Sequence, residues 1–190
     1  LASGSIAVFK FSANLIYFPI GIFGVSYALA IFPKLSESVA RKKGEEFFSG
    51  LSFGIRNILF WSLPIAFLFI VLRAHIVRVI LGAGAFDWND TRLVAASLAT
   101  LSAMIVFEGL NTLLIRAFYA LEKTWEPLVA NISASIASVV SSIVLLGFFG
   151  RFPEWLHDLS RVLRVGDIAE TQVLAIAIAF SLGSILNFFL

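Results

Sequence analysis

The stretch Ser5-Ile-Ala-Val-Phe-Lys10-Phe-Ser-Ala-Asn14-Leu-Ile-Tyr17-Phe-Pro19-Ile-Gly21-Ile-Phe-Gly24-Val-Ser-Tyr-Ala28-Leu-Ala-Ile-Phe32 decides the architecture. It carries one charged side chain, Lys10, in 28 residues. A helix of that length reaches about 42 Å, more than the roughly 30 Å of hydrocarbon in a bilayer. The stretch therefore reads as a transmembrane helix that is tilted or bent. Pro19 cannot donate a backbone hydrogen bond and leaves the Leu15 carbonyl without its usual partner. With Gly21 and Gly24 close behind, this predicts a kinked helix with Pro19, Gly21 and Gly24 as its hinge. In hydrocarbon such a break persists only where neighbouring helices or a polar cavity satisfy the freed groups.

Helical spacing predicts that Lys10, Asn14, Tyr17, Gly21, Gly24 and Ala28 share one face. Phe9, Ile16, Ile20, Phe23 and Ile31 fall on the other, suited to lipid or to packing. A cation, an amide and a phenol in line on a bent helix suit a hydrophilic cavity for a charged substrate. Lys10, Asn14 and Tyr17 are accordingly the candidate substrate-binding residues. The competing reading is that Lys10 lies near its helix end and snorkels to the headgroups.

The rest of the chain repeats the pattern. Of 190 residues, 59% are hydrophobic and 14% charged, and the mean hydropathy is +0.96. A soluble domain carries roughly a quarter charged residues, so an ordinary soluble enzyme is excluded. Further spans are expected at about 51–72, 93–115, 127–149 and 171–190, after the first at 5–32. Residues 34–49 read as a polar loop or helix end, and the Ser-, Ala- and Gly-rich fourth span as a helix packed on protein over much of its surface. Residues 153–164 set Trp155, Leu156, Leu159, Val162 and Leu163 against Glu154, Asp158, Arg161 and Arg164, the pattern of an amphipathic helix on the membrane surface. The fold class is thus all-α: a polytopic membrane helix bundle of about five spans plus one interfacial helix. Six basic residues fall on each side of these spans, which leaves orientation undecided by charge. The chain starts at Leu1 and stops at Leu190 within apolar sequence, as a piece of a longer protein would.

Two further charges lie inside spans and are expensive there. Arg56 sits a turn or so inside the second span, a secondary candidate that snorkelling also explains. Glu108 lies mid-span and is a possible ion or proton site, or a protonated group bonded between helices, with Asn111 as its expected partner. Other signals fail. Gly82-Ala-Gly84 lacks the third glycine of a dinucleotide fingerprint. Asp87 and Asp90 suit turn and cap chemistry, and the serines at 133, 135, 138, 141 and 142 suit helix packing. With no cysteine and two isolated histidines, no metal site and no cofactor is expected. A net charge of +2 gives no argument for nucleic acid.

A series of patterns in order resembles the MurJ/MviN family of lipid II flippases, within the multidrug/oligosaccharidyl-lipid/polysaccharide exporter superfamily. Ser3-Gly-Ser5 and Asn14-Leu-Ile-Tyr-Phe-Pro19-Ile-Gly-Ile-Phe-Gly-Val25 are similar to the family's eighth helix, and Phe32-Pro-Lys-Leu-Ser36 to its cytoplasmic end. Gly54-Ile-Arg56 with Leu63-Pro64 resembles the ninth helix, and Ile76-Val-Arg78 through Asp90-Thr91 the turn after it. Arg116-Ala-Phe-Tyr119-Ala-Leu with Pro127 resembles the tenth-to-eleventh junction, and Ser181-Leu-Gly183 with Asn187 the twelfth helix. The resemblance implies most of the second lobe of a flippase of about fourteen helices, with the N-terminal lobe of the same chain missing. It implies a multi-pass protein of the bacterial cytoplasmic (inner) membrane in contact with membrane lipids. Its cargo would be lipid II, an undecaprenyl-pyrophosphate-linked peptidoglycan precursor, moved by alternating access with no bond made or broken. Cell-wall biogenesis and cell shape would depend on it.

One departure matters. The family commonly has Asp-Arg where this chain has Ala13-Asn14, and often an acid at the position of Tyr17. Asn14 can hydrogen-bond a phosphate oxygen but cannot neutralise it. Lys10, one turn earlier on the same face, is expected to supply the charge. The alternatives are an exporter of another lipid-linked saccharide or a drug, or a transport-inactive membrane scaffold.

Overall fold

The structure is a computed structural model that describes residues 3–81, 88–151, 160–161, 163, 165 and 173–189. Among the described residues every regular element is helical: α1 (Ser3–Pro19), a π-helical segment (Ile20–Val25), α2 (Ser26–Ala40), α3 (Gly44–Val71), α4 (Arg73–Leu81), α5 (Trp88–Leu101), α6 (Ala103–Ala120), α7 (Trp125–Arg151) and α8 (Val173–Phe189). The helices Ile6–Ala40, Gly44–Val71, Ala103–Ala120 and Trp125–Phe149 are long and apolar enough to cross a membrane, and Val173–Phe189 is a shorter apolar one. The all-α membrane bundle read from the sequence is the architecture found. The expected interfacial helix at 153–164 lies outside the described residues except for 160, 161 and 163.

The opening helix absorbs its proline in an unexpected way. Pro19 ends α1 and is followed by the π-helical segment, which leads straight into α2. Ser26 Oγ donates to the Gly21 carbonyl at 3.2 Å, satisfying one of the loosened backbone acceptors. A π-helix closes its hydrogen bonds five residues apart instead of four, so a face drawn at 3.6-residue spacing loses register across it. The predicted face therefore splits. Lys10, Asn14, Tyr17 and Gly21 remain exposed, while Gly24 and Ala28 turn into the core.

The polar stretch at 34–49 is not a loop. α2 continues to Ala40, and only Arg41, Lys42 and Lys43 separate it from α3. Ser38 Oγ donates to the Lys34 carbonyl at 2.7 Å. Glu37 pairs with Arg41 at 2.7 Å and Lys43 with Glu46 at 2.6 Å, one on each side of the reversal. Lys42, at φ 56°, makes the turn.

The third span is also revised, because α5 and α6 are separate helices divided at Ser102. Ser102 Oγ donates to the Leu98 carbonyl at 2.7 Å, and Ser181 Oγ of α8 donates to the Thr100 carbonyl at 2.8 Å. With side chains meeting these carbonyls, the backbone ladder can open without leaving an acceptor bare.

Packing is arranged around α5 and α6. α1 lies on α5, and α2 and α3 lie on α6. Val8, Ile16 and Ile20 meet Leu98, Leu101 and Ile105 in the main core, while Ala28 and Ile58 meet Leu110 and Leu113. Gly24 and Gly109 set the closest approach. A Cβ on Gly24 would stand 2.7 Å from the Gly109 Cα. α7 departs from its expected burial. It packs on α8 along one strip and presents Ile132, Ile136, Val139, Val140, Ile143 and Val144 outward.

Candidate substrate-facing wall

α1 and α6 build the candidate site together. Along α1, Lys10, Asn14 and Tyr17 are exposed, whereas Val8, Ser12 and Ile16 of the same turns are buried against α5. Ser12 is fastened there, its Oγ reaching the carbonyls of Val8 at 2.8 Å and Val94 at 3.2 Å. The rotation of α1 about its axis is thus set by packing, and the polar row is left over. Lys10, Asn14 and Tyr17 line a cleft of about 330 Å³ with Phe9, Met104 and Phe180. Its far edge is closed by the Phe9 and Phe180 rings, with centroids 5.0 Å apart.

Glu108 joins this wall from α6. It precedes Gly109, which the close approach to Gly24 holds against the π-helical segment. Its carboxylate lies within electrostatic reach of the Tyr17 phenol and makes no hydrogen bond or ion pair among the described residues. The expected Asn111 partnership does not form. Asn111 is 4% exposed and donates from Nδ2 to the Ser184 carbonyl of α8 at 3.4 Å. Three residues on a helix leave a net offset of about 60°, so Asn111 is turned toward α8 while Glu108 stays on the Tyr17 side.

Two other candidates fall differently. Arg56 is exposed on α3, away from the buried row Gly54, Ile58 and Ser62 that meets the other helices, and is not brought to Lys10. Of the three residues expected to form a hinge, Pro19 and Gly24 are buried and Gly21 is exposed with open space where a Cβ would go. Among the described residues no group of histidines and acids is arranged to hold a metal.

A profile of the family described as "Lipid II flippase MurJ" matches residues 1–153. The chain belongs to that family. A "Probable lipid II flippase MurJ" from Thermotoga maritima is 31% identical over 148 residues, covering 78% of this chain and 30% of the relative. Its Vibrio cholerae counterpart is 27% identical over 150 residues, 79% of this chain and 29% of the relative. One from Buchnera aphidicola subsp. Baizongia pistaciae is 25% identical across all 190 residues, 33% of its own length. The fold is similar to a solved "Lipid II flippase MurJ, inward closed conformation", with a TM-score of 0.75, 24% identity, and coverage of 100% of this chain and 35% of that one. The chain therefore spans about a third of the length of the curated relatives it matches. As a member of the MurJ family with several apolar helices, it is a multi-pass membrane protein.

The sequence reading of this MurJ-family segment missed one residue on the wall. Arg116 falls in what looks like a connection, but α6 runs on to Ala120 and keeps it helical. Glu108, Thr112 and Arg116 then follow at four-residue spacing, a signal obscured by ending the span at 115.

Proposed function

We propose that the full protein carries lipid II, a pyrophosphate-linked peptidoglycan precursor, across the bacterial cytoplasmic membrane by alternating access, and that this chain supplies one wall of the route. The process is transport, with no bond made or broken. The observation that carries the reading is the exposed row Lys10, Asn14 and Tyr17 on a membrane-spanning helix of a MurJ-family chain. An ammonium and an amide exposed on a membrane-spanning helix are costly in lipid and favourable beside a phosphate. Lys10 neutralises the headgroup as a point charge, Asn14 hydrogen-bonds it and Tyr17 positions it. The N-terminal lobe of the same chain would form the facing wall, and Pro19, Gly21 and Gly24 would be where the opening helix flexes.

Glu108 fits as the ion or proton site. A carboxylate beside an anionic headgroup repels it unless it carries a proton or a cation. Cargo movement past Tyr17 is then tied to loading of Glu108. Arg56 is assigned to the headgroup region.

The test is complementation of a flippase-depleted bacterium by the full-length gene, read out as labelled lipid II reaching the outer leaflet. Lys10→Ala is expected to abolish translocation and Lys10→Arg to retain much of it. Full activity of the alanine variant would discard the role of Lys10. Failure of the wild-type gene to complement, with normal insertion, would favour an exporter of another lipid-linked saccharide or an inactive scaffold.

A further inference from the structure

We propose that Arg116 is a second phosphate-binding cation on this wall, a planar fork placed toward the end opposite the point charge of Lys10. The cargo in this proposal rests on the flippase reading, whereas the site rests on geometry. Nε of Arg116 is shut away from solvent and has no hydrogen-bond acceptor. Among the described residues, no carboxylate pairs with it. Three acids at this end are engaged elsewhere, Glu37 with Arg41 at 2.7 Å, Glu46 with Lys43 at 2.6 Å, and Glu126 with Lys123 at 3.5 Å, and Glu45 and Glu122 form no ion pair with it. A guanidinium has five donors and cannot lose its proton. With Nε closed off and unmet, the terminal Nη donors of this partly exposed, unpaired side chain are the ones that an acceptor from outside this segment meets.

Its position favours an acceptor that travels along the wall. Glu108, Thr112 and Arg116 are each partly exposed, while Gly109, Leu110, Leu113, Ala117 and Ala120 are buried. This stripe of α6 is therefore not spent on packing against the described helices. Ala117 and Ala120 pack with Ile31, Leu35 and Phe47, which sets Arg116 level with the α2–α3 reversal. α1 lies on α5 and α2 on α6, so the two pairs run the same way and Lys10 and Arg116 stand toward opposite ends. The ligand class is a phosphate oxyanion, which a guanidinium takes through two parallel N–H donors. Two sources present it at this depth: the pyrophosphate of a lipid-linked cargo and the phosphate of an anionic phospholipid.

The experiment uses the full-length protein in phosphatidylcholine nanodiscs, titrated separately with undecaprenyl pyrophosphate and with phosphatidylglycerol. Arg116→Gln is expected to weaken undecaprenyl pyrophosphate binding roughly tenfold or more, with Arg116→Lys intermediate. Arg116→Met should lose binding equally without lowering Tm, because it removes an unmet donor. Loss of phosphatidylglycerol binding alone also supports a phosphate site and names the phospholipid as its source. Equal affinities of wild type and Arg116→Gln for both probes overturn the proposal. So does a lower Tm of Arg116→Met with both affinities unchanged, since an internal partner in the full chain would then hold the guanidinium. A wild-type protein that ignores undecaprenyl pyrophosphate counts against the flippase reading itself. Arg116 is then judged by phosphatidylglycerol binding, upheld if Arg116→Gln loses it and overturned otherwise.

Discussion

The contact of the π-helical segment with α6 and the α7–α8 contact are both made by small residues, yet they treat polar groups in opposite ways. At the first, Gly24 meets the backbone of Gly109, and the polar side chains along the two helical runs are left open: Lys10, Asn14 and Tyr17 are exposed and Glu108 is partly so. At the second, Gly183 sits under Ser138, and the polar groups are closed on themselves. Ser138 donates to the Ala134 carbonyl at 2.9 Å, and Asn187 Nδ2 donates to Asn131 Oδ1 at 2.9 Å. Satisfied hydroxyls and amides between helices act as adhesive in lipid. Unsatisfied ones persist where a ligand, water or another part of the protein meets them. The contrast separates a wall whose polar side chains are left open from a pair whose polar groups are met within it.

The most severe way to break it is Gly24→Leu. A Cβ there would meet the Gly109 Cα at 2.7 Å, and backbone cannot step aside. The expected cost is about 3 kcal/mol of overpacking, read as a lower Tm and loss of transport. Gly21→Ala, where a Cβ meets open space, should leave Tm nearly unchanged. Gly183→Ala comes next. Its Cβ would fall 2.9 Å from the Ser138 Cβ, with Oγ nearer still, so a cost of about 1–3 kcal/mol is expected. Ser138→Gly in the same chain should recover much of it, and a double-mutant cycle with no coupling would refute the contact.

The smallest effect sharpens the comparison outside the membrane. The Glu46 carboxylate, through its hydrogen bond and its charge, holds the Lys43 ammonium above the ordinary lysine pKa. A raised folded-state value means that the contribution to stability is complete below the ordinary lysine value. It is lost as pH climbs through the raised one. Titration of the Lys43 side chain by NMR should move back toward the ordinary value in Glu46→Gln. Thermal stability should change little, because this pair is exposed.

The bundle was legible because burial in lipid needs long apolar runs, and those are written locally. The row Lys10, Asn14 and Tyr17 was legible for the same reason, since it lies within one unbroken α-helix. Its continuation to Gly24 and Ala28 was not, because the π-helical segment changes the rotation per residue. The break at Ser102 carried no proline or glycine. It depends on Ser181, 79 residues away in sequence, delivering a hydroxyl to Thr100. α7 likewise has the composition of a helix buried all round, but α8 covers only one strip of it within this chain.

Sequence by itself determined that this chain crosses a membrane, where its first helix is weakened and which of its faces is polar. These follow from hydropathy, proline chemistry and helical period, each acting over a few turns. Tertiary structure alone decided that Glu108 lies within electrostatic reach of Tyr17, that Asn111 serves α8 instead, and that Arg116 keeps a donor without an acceptor. Those outcomes depend on how far one helix is turned against another, which is set by glycine contacts between residues distant in the chain.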